Sequence, residues 1–129
     1  MSKLSFGTNQ QTVTVATETA LATLPINSEL VNSGTPVIIT ATVACATGTG
    51  GTLATIKCRQ GTTTAGTQVG PSVPGATGTA NAATSVAYQW IDTAPPANGQ
   101  YCVTLTFTGN SSSVVNSTIS AELFEGVLA

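Results

Sequence analysis

Two stretches of the chain decide its fold class: residues 36–46 read Pro-Val-Ile-Ile-Thr-Ala-Thr-Val-Ala-Cys-Ala, and residues 100–108 read Gln-Tyr-Cys-Val-Thr-Leu-Thr-Phe-Thr. Both are rich in β-branched residues, and in both the larger apolar side chains recur at every second position. An alternation of this kind is typical of a β-strand with one buried face. We therefore expect each stretch to be a strand, with Tyr101, Val103 and Phe107 facing the core and Cys102, Thr104 and Thr106 facing outward.

The same period of two extends over most of the sequence, and helix signals are nearly absent. Glycine, proline and asparagine separate the alternating segments, and a Gly/Pro-rich stretch around Val69 and Val73 is typical of a short edge strand. Further strands are predicted within residues 11–17, 52–59, 83–92 and 113–125. Seven or eight evenly spaced strands predict an all-β fold, an antiparallel β-sandwich of the jelly-roll type.

An immunoglobulin-like sandwich is the alternative architecture. That fold places a tyrosine two residues before a cysteine, so that both side chains share one face of a strand. Here Tyr101 and Cys102 are adjacent and must point in opposite directions. The jelly roll is therefore the preferred prediction. We assign residues 11–129 to a single sandwich domain and residues 1–10 to an N-terminal arm.

The composition excludes several classes of function. Only 6% of the residues are charged and 41% are hydrophobic, and 25 of the 129 residues are threonine. Disorder needs low hydrophobicity with high net charge, so we expect a folded domain. Three scattered cations cannot replace the counterions of a nucleic acid. No apolar run approaches the length of a membrane-spanning helix. Neither a nucleic acid nor a membrane is therefore expected as a partner.

Catalysis and metal binding are also not expected. The chain has no histidine, which removes the usual activation of a serine or cysteine nucleophile. Its five carboxylates do not form the spaced pair that glycoside hydrolysis needs. The three cysteines lack the close spacing of a zinc site. We predict a protein that is not an enzyme and has no catalytic residue, metal or cofactor.

The cysteines leave two interpretations open. All three are buried reduced thiols, or one pair is bridged and the third is spare. If residues 36–46 and 52–59 form a hairpin with Cys45 opposite Cys58, those two thiols face each other, and a slip of one residue separates them.

Cys102 also needs an explanation, because it lies on the predicted outward face beside Thr104 and Thr106. Either a central strand is buried on both faces, or a neighbouring subunit covers Cys102, Thr104 and Thr106. Leu4 and Phe6 are isolated apolar residues before the first strand, and we expect them to anchor the arm on a neighbour. These five side chains are the candidate subunit or capsid contacts.

Several segments carry a family resemblance: Gly-Thr-Pro-Val-Ile-Ile-Thr-Ala-Thr-Val from Gly34, Leu-Ala-Thr-Ile-Lys-Cys-Arg-Gln-Gly-Thr-Thr, Val-Ala-Tyr-Gln-Trp-Ile-Asp-Thr-Ala-Pro-Pro and Gly-Gln-Tyr-Cys-Val-Thr-Leu-Thr-Phe. In pattern, residues 35–125 resemble the Thr-rich jelly-roll domains of tailed-phage virion proteins, such as capsid decoration and fibre-head modules. The resemblance carries no diagnostic motif. It implies a homotrimer attached to a major capsid protein or a fibre shaft.

The function predicted from this resemblance is that of a trimeric capsid decoration protein of a bacteriophage, located on the capsid surface. The first seven residues lack an apolar signal region, in agreement with synthesis in the host cytoplasm. Two alternatives remain open. One is the receptor- or glycan-binding head of a fibre, which needs an exposed aromatic pocket. The other is a bacterial surface adhesin domain.

Overall fold

The computed structural model describes residues 3–14, 17–26, 36–45, 54–75, 84–107 and 112–123. These residues form eight strands and no helix: β1 Lys3–Thr14, β2 Thr19–Thr23, β3 Val37–Cys45, β4 Ala54–Gln60, β5 Gln68–Gly75, β6 Thr84–Asp92, β7 Tyr101–Phe107 and β8 Ser112–Leu123. Six of the eight strands overlap a segment for which alternation predicts a strand, and β5 overlaps the Gly/Pro-rich stretch predicted as an edge strand. The eighth, β2, follows the first alternating segment directly.

The strands form two four-stranded antiparallel sheets. Sheet A has the order β1-β8-β3-β6, and sheet B has the order β2-β7-β4-β5. The first strand thus pairs with the last, the second with the seventh, the third with the sixth and the fourth with the fifth. This nested pairing of two four-stranded sheets is the jelly-roll arrangement. The predicted fold class is therefore confirmed, and the immunoglobulin-like alternative does not apply.

The hairpin predicted from residues 36–46 and 52–59 is wrong. Strand β3 lies in sheet A between β8 and β6, whereas β4 lies in sheet B between β7 and β5. Alternation indicates which face of a strand is buried but not which strand lies beside it. Two consecutive strands therefore show the same pattern whether they form a hairpin or lie in different sheets. Without the hairpin, the argument that Cys45 faces Cys58 loses its basis. The side chain of Cys45 lies outside the described residues.

The inner faces of the two sheets form one apolar core. Sheet A contributes Val37, Ile39 and Ile119, and sheet B contributes Ile56, Leu105 and Phe107, all at most 1% exposed. Face-to-face packing of two sheets through alternate side chains is the usual core of a sandwich.

Both lateral seams of the sandwich are closed by close contacts. On one side, a Cβ atom added to Gly7 of β1 would lie 2.0 Å from the carbonyl oxygen of Thr23 on β2, so only glycine permits this approach. On the other side, the Tyr88 hydroxyl and the Trp90 indole of β6 donate hydrogen bonds to the carbonyl oxygens of Pro74 and Pro71 on β5.

The segment expected to be a free arm is, from Lys3 onward, a strand of the domain itself. Residues 5–14 of β1 pair without interruption with β8, from Ser5 opposite Ala121 to Thr14 opposite Ser112. The physical reason is that polar residues such as Thr8, Asn9 and Gln10 are suited to an edge strand with one wet face, although their sequence shows little apolar alternation. Residues 1 and 2 lie outside the described residues.

Candidate functional site

The outer face of sheet A is a regular array of uncharged side chains. Its strands are in register, so that one outward residue from each strand forms a row across the sheet. We call three adjacent rows the neutral face: Phe6, Ser120, Thr40 and Gln89; Thr8, Thr118, Thr42 and Ala87; and Gln10, Asn116, Ala44 and Ser85. None of these twelve side chains carries a charge at neutral pH.

The neutral face is polar and partly concave. A depression of about 710 Å³ lies over its second and third rows, with Gln10, Asn116 and Ser85 along its lining. The hydroxyls of Thr42 and Thr118 are hydrogen-bonded to each other across β3 and β8. The row beyond the first holds Ile38, Ile91, which is 52% exposed, and the charged Glu122. The twelve side chains of the neutral face can exchange hydrogen bonds and pack against a neutral partner, but they offer no charge to an ionic ligand.

The outer face of sheet B is built differently, around a three-part charged cluster. Glu18 precedes β2 and receives hydrogen bonds from Nε and Nη2 of Arg59 on β4 and from the hydroxyl of Thr104 on β7. Lys57 Nζ lies 3.8 Å from the same carboxylate. Nη1 of Arg59 donates to the carbonyl oxygen of Gly66. A single guanidinium therefore ties the chain before β2 and the turn after β4 onto the same face.

The protonation of this cluster follows from its contacts. The hydrogen bonds from Arg59 are the main cause that lowers the pKa of Glu18 from 4.5 to about 2, against the opposing effect of burial. The same hydrogen bonds raise the pKa of Arg59. A bidentate guanidinium–carboxylate pair that is mostly shielded from water stabilises both charged forms. The pair is therefore ionised throughout the physiological range.

The charged cluster explains how a single chain buries β7 on both faces. Cys102 and Thr104 are each 0% exposed although they point away from the core. The Cys102 thiol lies 3.9 Å from the carbonyl oxygen of Thr63 in the turn held by Arg59. Burial raises the pKa of Cys102 to about 11, which keeps it a thiol rather than a reactive thiolate.

Cys58 and Cys102 lie on neighbouring strands but are not bonded. Arg59 is opposite Cys102, and Cys58 is opposite Val103, so the two sulfurs lie on opposite faces of sheet B. Cys58 is buried in the core, where the apolar surroundings raise its pKa. Both are free cysteines. Cys58 therefore points into the core and Cys102 away from it.

The five predicted contact residues do not come together as one site. Cys102 and Thr104 are buried by the chain itself and Thr106 is half-buried, in agreement with the interpretation that a central strand is buried on both faces. Phe6 is 52% exposed and belongs to the neutral face. The side chain of Leu4 lies outside the described residues. The prediction that Leu4 and Phe6 contact a neighbour stays a prediction.

Neither the charged cluster nor the neutral face is predicted from the sequence. Glu18 and Arg59 lie 41 positions apart, and only their rarity as charged residues singles them out. The neutral face combines four strands from both ends of the chain, so no local motif marks it. One signal of the neutral face was present in the sequence: the outward residues of these rows, at every second position of β1, β3, β6 and β8, are all uncharged.

A second buried polar network lies at the end of the sandwich where β6, β4 and β7 meet. The carboxylate of Asp92 accepts hydrogen bonds from the Tyr101 hydroxyl at 2.8 Å, from Gln60 Nε2 at 2.9 Å and from the backbone N–H of Ala94 at 2.9 Å. Burial is the main cause that raises the pKa of Tyr101. Each hydrogen-bonding partner is met within the chain, so this network fixes strand ends rather than a ligand.

Among the described residues, no group of three acidic, cysteine or histidine side chains is placed to hold a metal ion. Within the same ranges, no helix is long and apolar enough to cross a membrane.

Comparisons with known proteins identify the fold. The chain is similar to a chain in the structure of infectious bursal disease virus Gt strain, with a TM-score of 0.55, 11% identity, and 95% of this chain and 32% of that chain covered. It is also similar to a chain of the VP2 subviral particle of that virus, with a TM-score of 0.56, 13% identity, and 87% of this chain and 29% of that chain covered. The chain thus spans about a third of the length of these viral chains.

A weaker similarity is to a protein of Bacillus endospore appendages, described as disulfide-linked pili: TM-score 0.45, 17% identity, 95% of this chain and 91% of that chain covered. No protein-family model matches the sequence. The comparison with curated proteins finds no match. At these identities the viral structures show the fold alone, a jelly roll of two four-stranded sheets.

Proposed function

We propose that this chain is a non-enzymatic structural protein of a virus particle, a trimeric decoration protein on the capsid surface of a bacteriophage. In this proposal it binds copies of itself and the major capsid protein. It is made in the host cytoplasm and carries no cofactor. The fold supports the general class, because jelly rolls with this strand order build viral shells.

The neutral face is the single observation that carries the proposal. Monomeric proteins usually present many charged residues to water, whereas here twelve adjacent outward positions have none. Charge is depleted at the centre of protein–protein interfaces, where its desolvation is costly. An ordered, uncharged sheet face suits permanent contact with a protein shell. Phe6 and Ile91, each 52% exposed, add apolar area at its end.

The self-association part of the proposal is tested by mass in solution. Multi-angle light scattering should give three times the chain mass of 12.8 kDa. A mass of one or two chains across dilute samples would refute the trimer. It would leave attachment to a shell to be tested separately.

Attachment is tested with heads assembled from the major capsid protein of the same phage. The wild-type protein should co-sediment with these heads. Ala87→Lys places a cation on the neutral face at an exposed position of β6 and should weaken co-sedimentation at least roughly tenfold, because a buried unpaired charge costs more than 1.4 kcal/mol. Ala65→Lys adds the same cation in the exposed turn after β4 and should bind as the wild type does.

Equal binding by Ala87→Lys and Ala65→Lys would exclude the neutral face as the contact. Binding by neither variant, with wild-type stability in both, would show that any added cation interferes.

A fibre head that binds a neutral glycan is the second candidate, and the depression over Gln10, Asn116 and Ser85 favours it. Amide and hydroxyl groups are suited to hydroxyl-rich ligands. Two rings that could stack on a sugar, those of Trp90 and Tyr101, are buried, and Phe6 lies in the first row, outside the depression. A glycan array with the wild-type protein decides between the two: binding that Asn116→Ala abolishes would favour the fibre head, and silence would favour the decoration protein.

A further inference from the structure

The two sheets have four edge strands, and two of them, β5 and β2, are protected in recognisable ways. Strand β5 contains Pro71 and Pro74 and has an irregular register with β4. Strand β2 has only five residues and an irregular register with β7. Strand β6 has an unbroken register with β3, and its inward-facing Tyr88 and Trp90 are hydrogen-bonded to β5. Prolines, bulges and short length are the usual means by which proteins keep an edge from pairing with another chain.

Strand β1 has little of this protection. It is twelve residues long, and ten consecutive residues, 5–14, are in unbroken register with β8 on one side only. Its one irregularity lies at the start, between Lys3 and Ser5. Residues 4–14 include neither a charged residue nor a proline. A long, flat, uncharged edge is a template for addition of a further strand.

The hydrogen bonding of β1 points the same way. Two buried side-chain oxygens among the described residues have no hydrogen-bond partner, and both belong to this strand: Ser5 Oγ and Asn9 Oδ1. They lie four positions apart on the inward face of the strand. Buried polar groups nearly always have partners, so the unpaired Oδ1 of Asn9 on an edge strand is open to a donor from an added strand.

We propose that β1 pairs, antiparallel and edge to edge, with β1 of a second copy of this chain, about a two-fold axis through Asn9. The inference rests on the proposed function insofar as the chain assembles with itself, but not on the number three. In a trimeric decoration protein, this contact joins one trimer to the next.

The faces of β1 fix which registers are allowed. Residues directly opposite each other in an antiparallel pair point to the same face, so outward Thr8 must be opposite an outward residue of the second copy. The register centred on Asn9 places Thr8 opposite Gln10 of the second copy. It also places the two Asn9 side chains together, where the amide N–H of each can donate to the unpaired Oδ1 of the other. Because residues 4–14 carry no charge, like charges do not oppose the pairing.

Edge pairing would make one eight-stranded sheet from the two copies of sheet A. The outer side of this sheet would carry two neutral faces side by side, which doubles the uncharged area available to a shell. An interface of this kind is self-complementary, as a two-fold contact must be.

A pair of charge variants tests the register. In Thr8→Lys/Gln10→Lys, each lysine at position 8 is opposite a lysine at position 10 of the second copy. In Thr8→Lys/Gln10→Glu, it is opposite a glutamate. Both variants alter exposed positions of one strand. Sedimentation velocity over a range of concentrations should show association of the wild type, association at least roughly tenfold weaker for the Lys/Lys variant, and its recovery in the Lys/Glu variant.

A cross-link provides the second readout. In a Cys45→Ser background, Asn9→Cys should form a disulfide between copies on oxidation, because opposed residues of an antiparallel pair lie within disulfide range. Asn116→Cys, exposed on the neighbouring strand, should not. The native Cys58 and Cys102 are buried and do not compete.

The inference would be overturned by a wild type that stays at one mass at all concentrations, or by equal association of the two charge variants. A concentration-dependent monomer–dimer equilibrium would support edge pairing and refute the trimer. A constant trimer would do the reverse.

Discussion

Both sheets have four antiparallel strands, but their outer faces differ in charge. On sheet B, Glu18, Arg59 and Lys57 form a charged cluster that lies over β7 and β4. On sheet A, three full rows across β1, β8, β3 and β6 carry no charge. The charged face is covered by the chain's own turns, whereas the neutral face is not covered by any described part of the chain.

This difference shows how a chain with few charges uses them. Three of the eight charged residues lie together on one face. One of them, Arg59, bonds both to Glu18 and to the carbonyl oxygen of Gly66 in the turn after β4. A guanidinium can do this because it donates several hydrogen bonds in fixed directions. The other outer face has three rows without a charge, which is the basis of the proposed function. Each of the following predictions compares the two faces.

Removal of the guanidinium should have the largest effect. Arg59→Ala leaves the mostly shielded Glu18 carboxylate without its main partner and releases the turn at Gly66, so the free energy of unfolding should fall by about 2 kcal/mol. Urea denaturation measures this. Lys57→Ala is the matched control: at 3.8 Å from the same carboxylate it should cost below about 0.5 kcal/mol.

The same variant should expose a thiol. With the turn released, Cys102 should react with a thiol reagent under native conditions, although it is inert in the wild-type protein because it is 0% exposed. A fully protected Cys102 in Arg59→Ala would mean that the strands alone, without the ion pair, cover this face.

Acid should weaken the charged face and leave the neutral face unchanged. The pKa of Glu18 is lowered to about 2 in the folded protein from 4.5, so its contribution is fully present above about pH 5 and is lost as the pH falls towards 2. Denaturation of the wild type and of Glu18→Gln at several pH values should show a stability difference that shrinks with acid. A difference that stays constant between about pH 6 and pH 2.5 would contradict this assignment.

The smallest effects should come from one substitution made on both faces. Thr104→Val removes a 2.7 Å hydrogen bond to the Glu18 carboxylate and should cost about 1.5 kcal/mol. Thr42→Val removes only a bond between two neutral hydroxyls and should cost about 0.5 kcal/mol. Thermal and urea denaturation of both variants measure the difference. Equal costs would mean that the charge of Glu18 adds nothing to the stability of sheet B.

The sequence by itself determined the class of fold and the faces of most strands. Alternation placed Tyr101, Val103 and Phe107 in the core, because side-chain direction in a strand depends only on position along that strand. Composition also predicted a folded chain with few ionic partners. These properties are local or additive, so a linear sequence can reveal them.

Only the tertiary structure decided which strands are neighbours. It moved β3 and β4 into different sheets, placed Lys3–Thr14 beside β8 instead of on a separate arm, and brought Glu18 to Arg59 across 41 positions. It also showed that Cys102 is hidden by the chain's own turn rather than by another subunit. Pairing depends on contacts between distant segments, and a period of two is satisfied equally well by any partner strand.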